Sequence, residues 1–139
     1  MTMMTVRPYS QALDRLRAVG LRPTRQRLAL ARLLFDGGDR HISAEQLHSE
    51  AMASNIRVSL ATVYNTLHQF TDAGLLREIV VESGRSYFDT NTSDHHHFFY
   101  EKTSQLCDIP PELITVTKVP SAPAGHTIRR VDVIVRVDG

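Results

Sequence analysis

The sequence predicts a mixed α+β fold, and three observations predict it: four segments with apolar residues at helical spacing, a strand-turn-strand pattern after them, and a tail of alternating β-branched residues. Between Tyr9 and Val19, the residues Ala12, Leu13, Leu16 and Val19 share one helical face, and Gly20 supplies a stop. Thr24 is placed to cap a second helix whose buried stripe is Leu28, Ala31, Leu34 and Phe35, ended by Asp36-Gly37-Gly38-Asp39. Ser43-Ala44-Glu45-Gln46 is a capping-box pattern, with Gln46 at the third helical position ahead of Leu47 and Ala51. After a loop through Asn55 and Arg57, the Ser59 hydroxyl is placed to cap a fourth helix carrying Leu60, Val63, Leu67 and Phe70, which ends near Gly74.

Leu75 to Val81 then reads as a strand, Glu82-Ser83-Gly84-Arg85 as a turn and Ser86 to Asp89 as the partner strand. Helices followed by such a hairpin spell a winged helix-turn-helix, whose last helix enters the major groove while the hairpin lies against the backbone. The rest of the chain changes character. Phe98 to Tyr100 is a candidate strand, Ile109-Pro110-Pro111-Glu112 breaks regular structure, Leu113 to Val119 is strand-like, and Pro120 to Gly125 is a loop. Val131, Val133, Val135 and Val137 alternate with Asp132, Ile134, Arg136 and Asp138, a period of two. Three short strands on about 40 residues do not make an independent core, so the tail is expected to complete a sheet with a second subunit. The expected organisation is a winged-helix DNA-binding domain over residues 1–91 and a small α/β dimerisation and ligand-sensing domain over 92–139.

With 139 residues the chain can bury one core or two small ones. Met1 to Tyr9 holds no apolar run long enough for a signal peptide, and no later stretch approaches the roughly 18 residues of a membrane span, so the cytoplasm is the expected compartment. Cys107 is the only cysteine, which excludes an internal disulfide and a Cys-rich zinc knuckle built from this chain alone. Its plain reading is a small buried side chain. Residues 1–57 hold nine Arg against five Asp or Glu, and the remainder seven Arg or Lys against ten acids, so net +4 faces net −3. That polarity permits steering toward DNA by the front half, although a solvated helix face gives the same excess.

Recognition of a duplex would centre on residues 59–70, where Thr62 and Tyr64 can meet phosphates or thymine methyls and the Asn65 amide can read adenine. Burial of Tyr64 against the third helix is the structural alternative. Arg22, Arg25 and Arg27 bracket the start of the second helix, Arg57 precedes the fourth, and Arg85 sits at the wing tip; they are the expected phosphate and minor-groove contacts, or else solvated arginines.

His95, His96 and His97 stand consecutively, and imidazoles coordinate divalent metals or haem iron. In an extended segment His95 and His97 share a face and His96 looks the other way. Phe98, Phe99 and Tyr100 could cover a haem macrocycle, while Asp89 and Glu112 could add carboxylates to a site for Mn²⁺ or Fe²⁺. Incidental surface histidines are the plain alternative. For His41 it is a polar residue opening a loop, and for His48 an exposed helix position.

Thr24-Arg25-Gln26-Arg27, His41-Ile42-Ser43-Ala44-Glu45, Ser59-Leu60-Ala61-Thr62-Val63-Tyr64-Asn65-Thr66-Leu67, Phe70, Ala73-Gly74-Leu75 and the histidine triplet, in this order, resemble the ferric uptake regulator family. The resemblance covers residues 8–100 well and the tail more loosely. Asn65-Thr66, Asp94-His95-His96-His97-Phe98 and Val131-Asp132-Val133-Ile134 look most like its iron response regulator branch, known for sensing haem status. The resemblance implies a dimeric repressor of iron-related genes that binds a palindromic A·T-rich operator in response to haem or a divalent metal (Fe, Mn or Zn). It implies a hinge site of His41, Asp89 and His96 that fixes the angle between domains, and a second sensory site drawing on His95 and His97 with Glu112. Phe98 stands where many members have a further hinge histidine, paired Cys-x-x-Cys motifs are absent, no Cys-Pro haem motif exists, and Asn65 stands where many relatives have Arg. Three alternatives are a Mn-, Zn- or peroxide-responsive sensor of the same family, a winged-helix interaction module without DNA affinity, and a small non-haem metalloenzyme using two His and Asp89.

Overall fold

The computed structural model describes residues 10–82 and 84–139. The readings placed on Met1 to Tyr9, including the start of the first helix at Tyr9, and on Ser83 in the wing turn lie outside the described residues. The chain divides into two compact units, one ending at Thr92 and one running from Ser93 to Gly139. The mixed α+β class read from the sequence holds.

The first unit contains α1 (Ser10–Ala18), α2 (Arg25–Phe35), β1 (His41–Ile42), α3 (Ala44–Ala53), α4 (Leu60–Asp72), β2 (Arg77–Glu82) and β3 (Arg85–Asp89). Three of its helices begin where a side-chain oxygen can take an orphan backbone N–H. Thr24 accepts from Arg27 N, Ser59 from Thr62 N, and Ser43 from Gln46 N while the Gln46 side chain returns the bond to the Ser43 backbone. Gly74 follows the α4 cap at φ +87°, a left-handed conformation that glycine adopts without strain, and lets the chain turn into the wing. The apolar faces of the helices meet in one core that includes Leu16, Leu30, Leu34, Leu47, Val63, Leu67, Phe70 and Phe88. The strands form a small antiparallel sheet in the order β1-β3-β2, with a register shift between Val80 and Glu82 close to the turn.

Two details depart from expectation here. The wing strand begins at Arg77 because Leu75 and Leu76 are drawn into the core directly after Gly74. His41 is not in a loop: it pairs with Asp89 across β1 and β3 and so joins the sheet.

The second unit contains β4 (His96–Tyr100), β5 (Gln105–Ile109), a 3-10 turn at Pro111–Leu113 and β6 (Ile134–Val137). β4 is central, antiparallel to β5 and parallel to β6. The strand expected over Leu113 to Val119 does not form. Leu113 closes the 3-10 turn and the residues after it lie in irregular chain, with Leu113, Val116 and Val119 exposed, since β propensity alone, without a neighbouring strand to share backbone hydrogen bonds, does not hold an extended segment. No strand is expected from the sequence ahead of the Ile109-Pro110-Pro111-Glu112 break, yet β5 forms there and pairs along its whole length with β4 through a turn in which Ser104 takes φ +57°. The strand expected from Val131 begins only at Ile134, where adjacent Ile134 and Val135 are both half-buried, and Val131 is exposed. Cys107 is exposed on β5 rather than buried.

Phe70 is fully buried at the centre of the helical core. Phe70→Ala is expected to destabilise the first unit by about 3–5 kcal/mol, the sum of lost transfer energy and the cavity left behind. Urea unfolding followed by circular dichroism reads this directly, and a loss below about 1 kcal/mol would contradict the packing described.

Candidate metal centre and nucleic-acid interface

Each unit carries its own set of metal-type donors. In the first, the Asp89 side chain is 1 % exposed, its Oδ1 accepts the Asn91 backbone N–H at 2.9 Å, and its Oδ2 lies 3.2 Å from His41 Nε2. Strand register explains the juxtaposition, because Asp89 on central β3 faces His41 on β1 and Arg77 on β2. Arg77 is itself buried, so a carboxylate removed from water has basic residues opposite it on both flanking strands.

In the second unit, His97 stands opposite Asp108 in the β4–β5 ladder, and His95 lies two residues earlier, on the same side. His95 Nε2 is 3.1 Å and His97 Nε2 3.4 Å from one oxygen, Asp108 Oδ1, and the two rings are 4.5 Å apart at their centroids. Both imidazoles are buried. His95 Nδ1 lies 2.6 Å from the Ser93 carbonyl oxygen, which can only accept, so Nδ1 carries the proton. A neutral His95 therefore turns a bare lone pair at Nε2 toward the Asp108 carboxylate. That contact is repulsive unless a proton or a metal cation stands between the two atoms, and a ring nitrogen fixed through its opposite N–H is how proteins orient metal-binding histidines.

His96 differs from its neighbours. Its Nδ1 accepts the Val133 backbone N–H at 3.0 Å, so the neutral ring holds its proton on Nε2 and has no free lone pair for a metal. The expectation that His96 joins His41 and Asp89 is thus corrected by the tautomer that Val133 imposes. Glu112 sits in the exposed 3-10 turn, and the carboxylate beside His95 and His97 is Asp108 instead. The sequence reading missed Asp108 because β5 was not read as a strand. The signal that could have found it is a hairpin turn at residues 101–104, which sets Asp108 opposite His97.

On the helical unit, Thr62 and Asn65 lie on α4 with Asn65 exposed, and Arg22, Arg25 and Arg57 are exposed. Tyr64 is half-buried: its hydroxyl donates to Glu45 Oε1 at 2.6 Å, and its ring stacks on His68 with centroids 6.4 Å apart. This charge-assisted bond holds the Glu45 carboxyl below its ordinary value and pushes the Tyr64 hydroxyl above its own. Two of the expected phosphate contacts are already engaged within the unit. Arg85 pairs with Glu82 at 2.9 Å, and Arg27 bonds to Gln69 and to the Arg22 carbonyl. His48, read as a helix residue without a role, lies with Nε2 3.1 Å from the Val58 carbonyl and so ties α3 to the turn before α4.

Because the Glu45 carboxyl is lowered in the folded state, its bond with Tyr64 contributes stability above the ordinary glutamate value and loses it as pH falls through the lowered one. Tyr64→Phe should return Glu45 toward its ordinary titration and reduce stability by less than about 1 kcal/mol, since both groups are largely screened by water. A side-chain carboxyl NMR titration that shows no change on substitution would refute the bond.

Comparison with known proteins places these features. The sequence profile of the ferric uptake regulator family matches residues 18–134. The ferric uptake regulation protein of Bordetella parapertussis is 37% identical over 81 residues, which is 58% of this chain and 58% of that protein. The peroxide-responsive repressor PerR of Staphylococcus epidermidis is 33% identical over 98 residues, 70% of this chain and 65% of that one, so the match spans less than two thirds of either relative. The ferric uptake regulator of Pseudomonas aeruginosa, solved with manganese, shares the fold at a TM-score of 0.68 and 24% identity, covering 92% of this chain and 97% of that one. Members of the family are dimeric, metal-responsive transcription regulators and not enzymes, and among the described residues no helix is long and apolar enough to cross a membrane. The chain belongs to the ferric uptake regulator family.

Proposed function

We propose that the protein is a cytoplasmic, dimeric repressor whose hold on a palindromic A·T-rich operator responds to a divalent cation bound by His95, His97 and Asp108. The observation that carries this reading is the single Asp108 oxygen approached by two imidazole nitrogens, with the His95 proton fixed on the far side of its ring. Two imidazoles and a carboxylate form a borderline donor set suited to Fe²⁺, Mn²⁺ or Zn²⁺, and Asp108 is 43% exposed, so an ion has a path to it. His41 and Asp89 offer two further donors of the same chemistry. In that reading α4, with Thr62, Tyr64 and Asn65, would be the groove-reading helix. Arg22, Arg25 and Arg57 would hold phosphates, with Arg27 and Arg85 able to join only by giving up their present partners.

A haem-responsive form, of the kind the iron response regulator branch implies, is favoured by one observation. His96, Phe98 and Tyr100 alternate onto a common face of β4, and the Phe98 and Tyr100 rings are 6.4 Å apart, an apolar surface for a macrocycle. Axial ligation by His96 would require it to release the Val133 N–H.

Titration of the purified protein with Mn²⁺, Zn²⁺, anaerobic Fe²⁺ and haem, read by binding to duplexes enriched from a random pool, tests the proposal. His97→Ala is expected to lower metal affinity at least tenfold and to abolish the metal dependence of DNA binding, and His96→Ala to leave both intact. Metal-independent DNA binding by the unsubstituted protein would sink the reading, and a Soret band lost on His96→Ala would move the ligand from metal to haem.

A further inference from the structure

We infer that Arg27 is a positioning residue for the recognition helix and not a phosphate contact. The inference rests on the DNA-binding reading above. Arg27 occupies the third position of α2, where its backbone N–H is taken by the Thr24 cap at 3.2 Å, so its side chain leaves a fixed helical start. Its guanidinium spans two elements: Nε and Nη2 donate to Gln69 Oε1 at 3.3 and 3.0 Å, and Nη1 donates to the Arg22 carbonyl at 2.9 Å. Gln69 lies in the last turn of α4, and Arg22 lies in the turn between α1 and α2. One planar cation thus bolts the far end of α4 to the entrance of α2.

The leverage follows from helix geometry. Gln69 lies seven residues beyond Thr62, roughly 10 Å along the axis. At the near end the Ser59 cap fixes the first turn, and the Val58 carbonyl before it is held by His48. Val63, Leu67 and Phe70 anchor the middle of the helix through apolar contacts, which resist separation more than rotation. Without the Arg27 fork the helix would keep its burial and lose its orientation at the far end, and small angular errors at a groove-reading helix weaken every base contact at once. Lysine cannot replace the fork, because a single ammonium does not reach two acceptors on different elements with planar geometry.

The test measures binding of the Mn²⁺-loaded, full-length protein to a duplex enriched from a random pool by the unsubstituted protein, across a salt series, for Arg27→Ala, Arg27→Lys, Gln69→Ala and the Arg27→Ala/Gln69→Ala double variant. Both Arg27 variants and Gln69→Ala are expected to bind about tenfold more weakly, with an unchanged slope of log affinity against log salt, and the double variant to be no weaker than either single one. Thermal melts below which binding is measured guard against simple unfolding. A slope reduced by about 0.9 in Arg27→Ala and restored in Arg27→Lys would show a phosphate contact and overturn the inference. So would unchanged affinity in Gln69→Ala, or full affinity in all variants despite lowered melting temperatures. Failure of the unsubstituted protein to enrich any duplex would instead remove the DNA-binding reading and this inference with it.

Discussion

The arrangement on which the second unit's donor set depends is one Asp108 oxygen faced by the Nε2 atoms of both His95 and His97. Asp108 and His97 are cross-strand partners, so strand pairing alone presses them together, and the pleat brings His95 to the same side. The Ser93 carbonyl then removes the choice of tautomer at His95. Donors brought together by backbone register rather than by flexible side chains converge without an ion, so a cation held there would cost little ordering entropy. The same backbone withholds His96, whose acceptor nitrogen is occupied by the Val133 N–H. Adjacent and chemically identical residues thereby acquire opposite competence for metal from hydrogen bonds alone.

Much of the first unit was legible because its determinants are local. The caps at Thr24, Ser43 and Ser59 each bond a backbone N–H three residues away, and apolar spacing within a single helix marks its buried face. The second unit was less so. β5 hides behind Gln105, Cys107 and Asp108, polar or small residues that are tolerated because only Leu106 and Ile109 are buried. Leu113 to Val119 has the composition of a strand but no strand to pair with, whereas β6, with a similar composition, reaches β4 from far along the chain. At the site, the alternation of the histidine triplet was readable from the period of two, and the identity of its carboxylate partner was not, since it required the β4–β5 register. The Arg27 fork was equally invisible, because its acceptor on Gln69 lies 42 residues away.

The polar ties along α4 also constrain how any ligand signal could act. The Ser59 cap, the Tyr64 bond to Glu45 and the Arg27 fork on Gln69 are spread from one end of the helix to the other, on top of the burial of Val63, Leu67 and Phe70. Local melting or reshaping of α4 would break several of these together, and segments that open easily are those with few buried apolar contacts and exposed backbone bonds. α4 is the opposite kind of element. A change imposed on α4 would therefore meet a helix whose internal geometry is held at both ends and in the middle, and would move it as one piece rather than melt it.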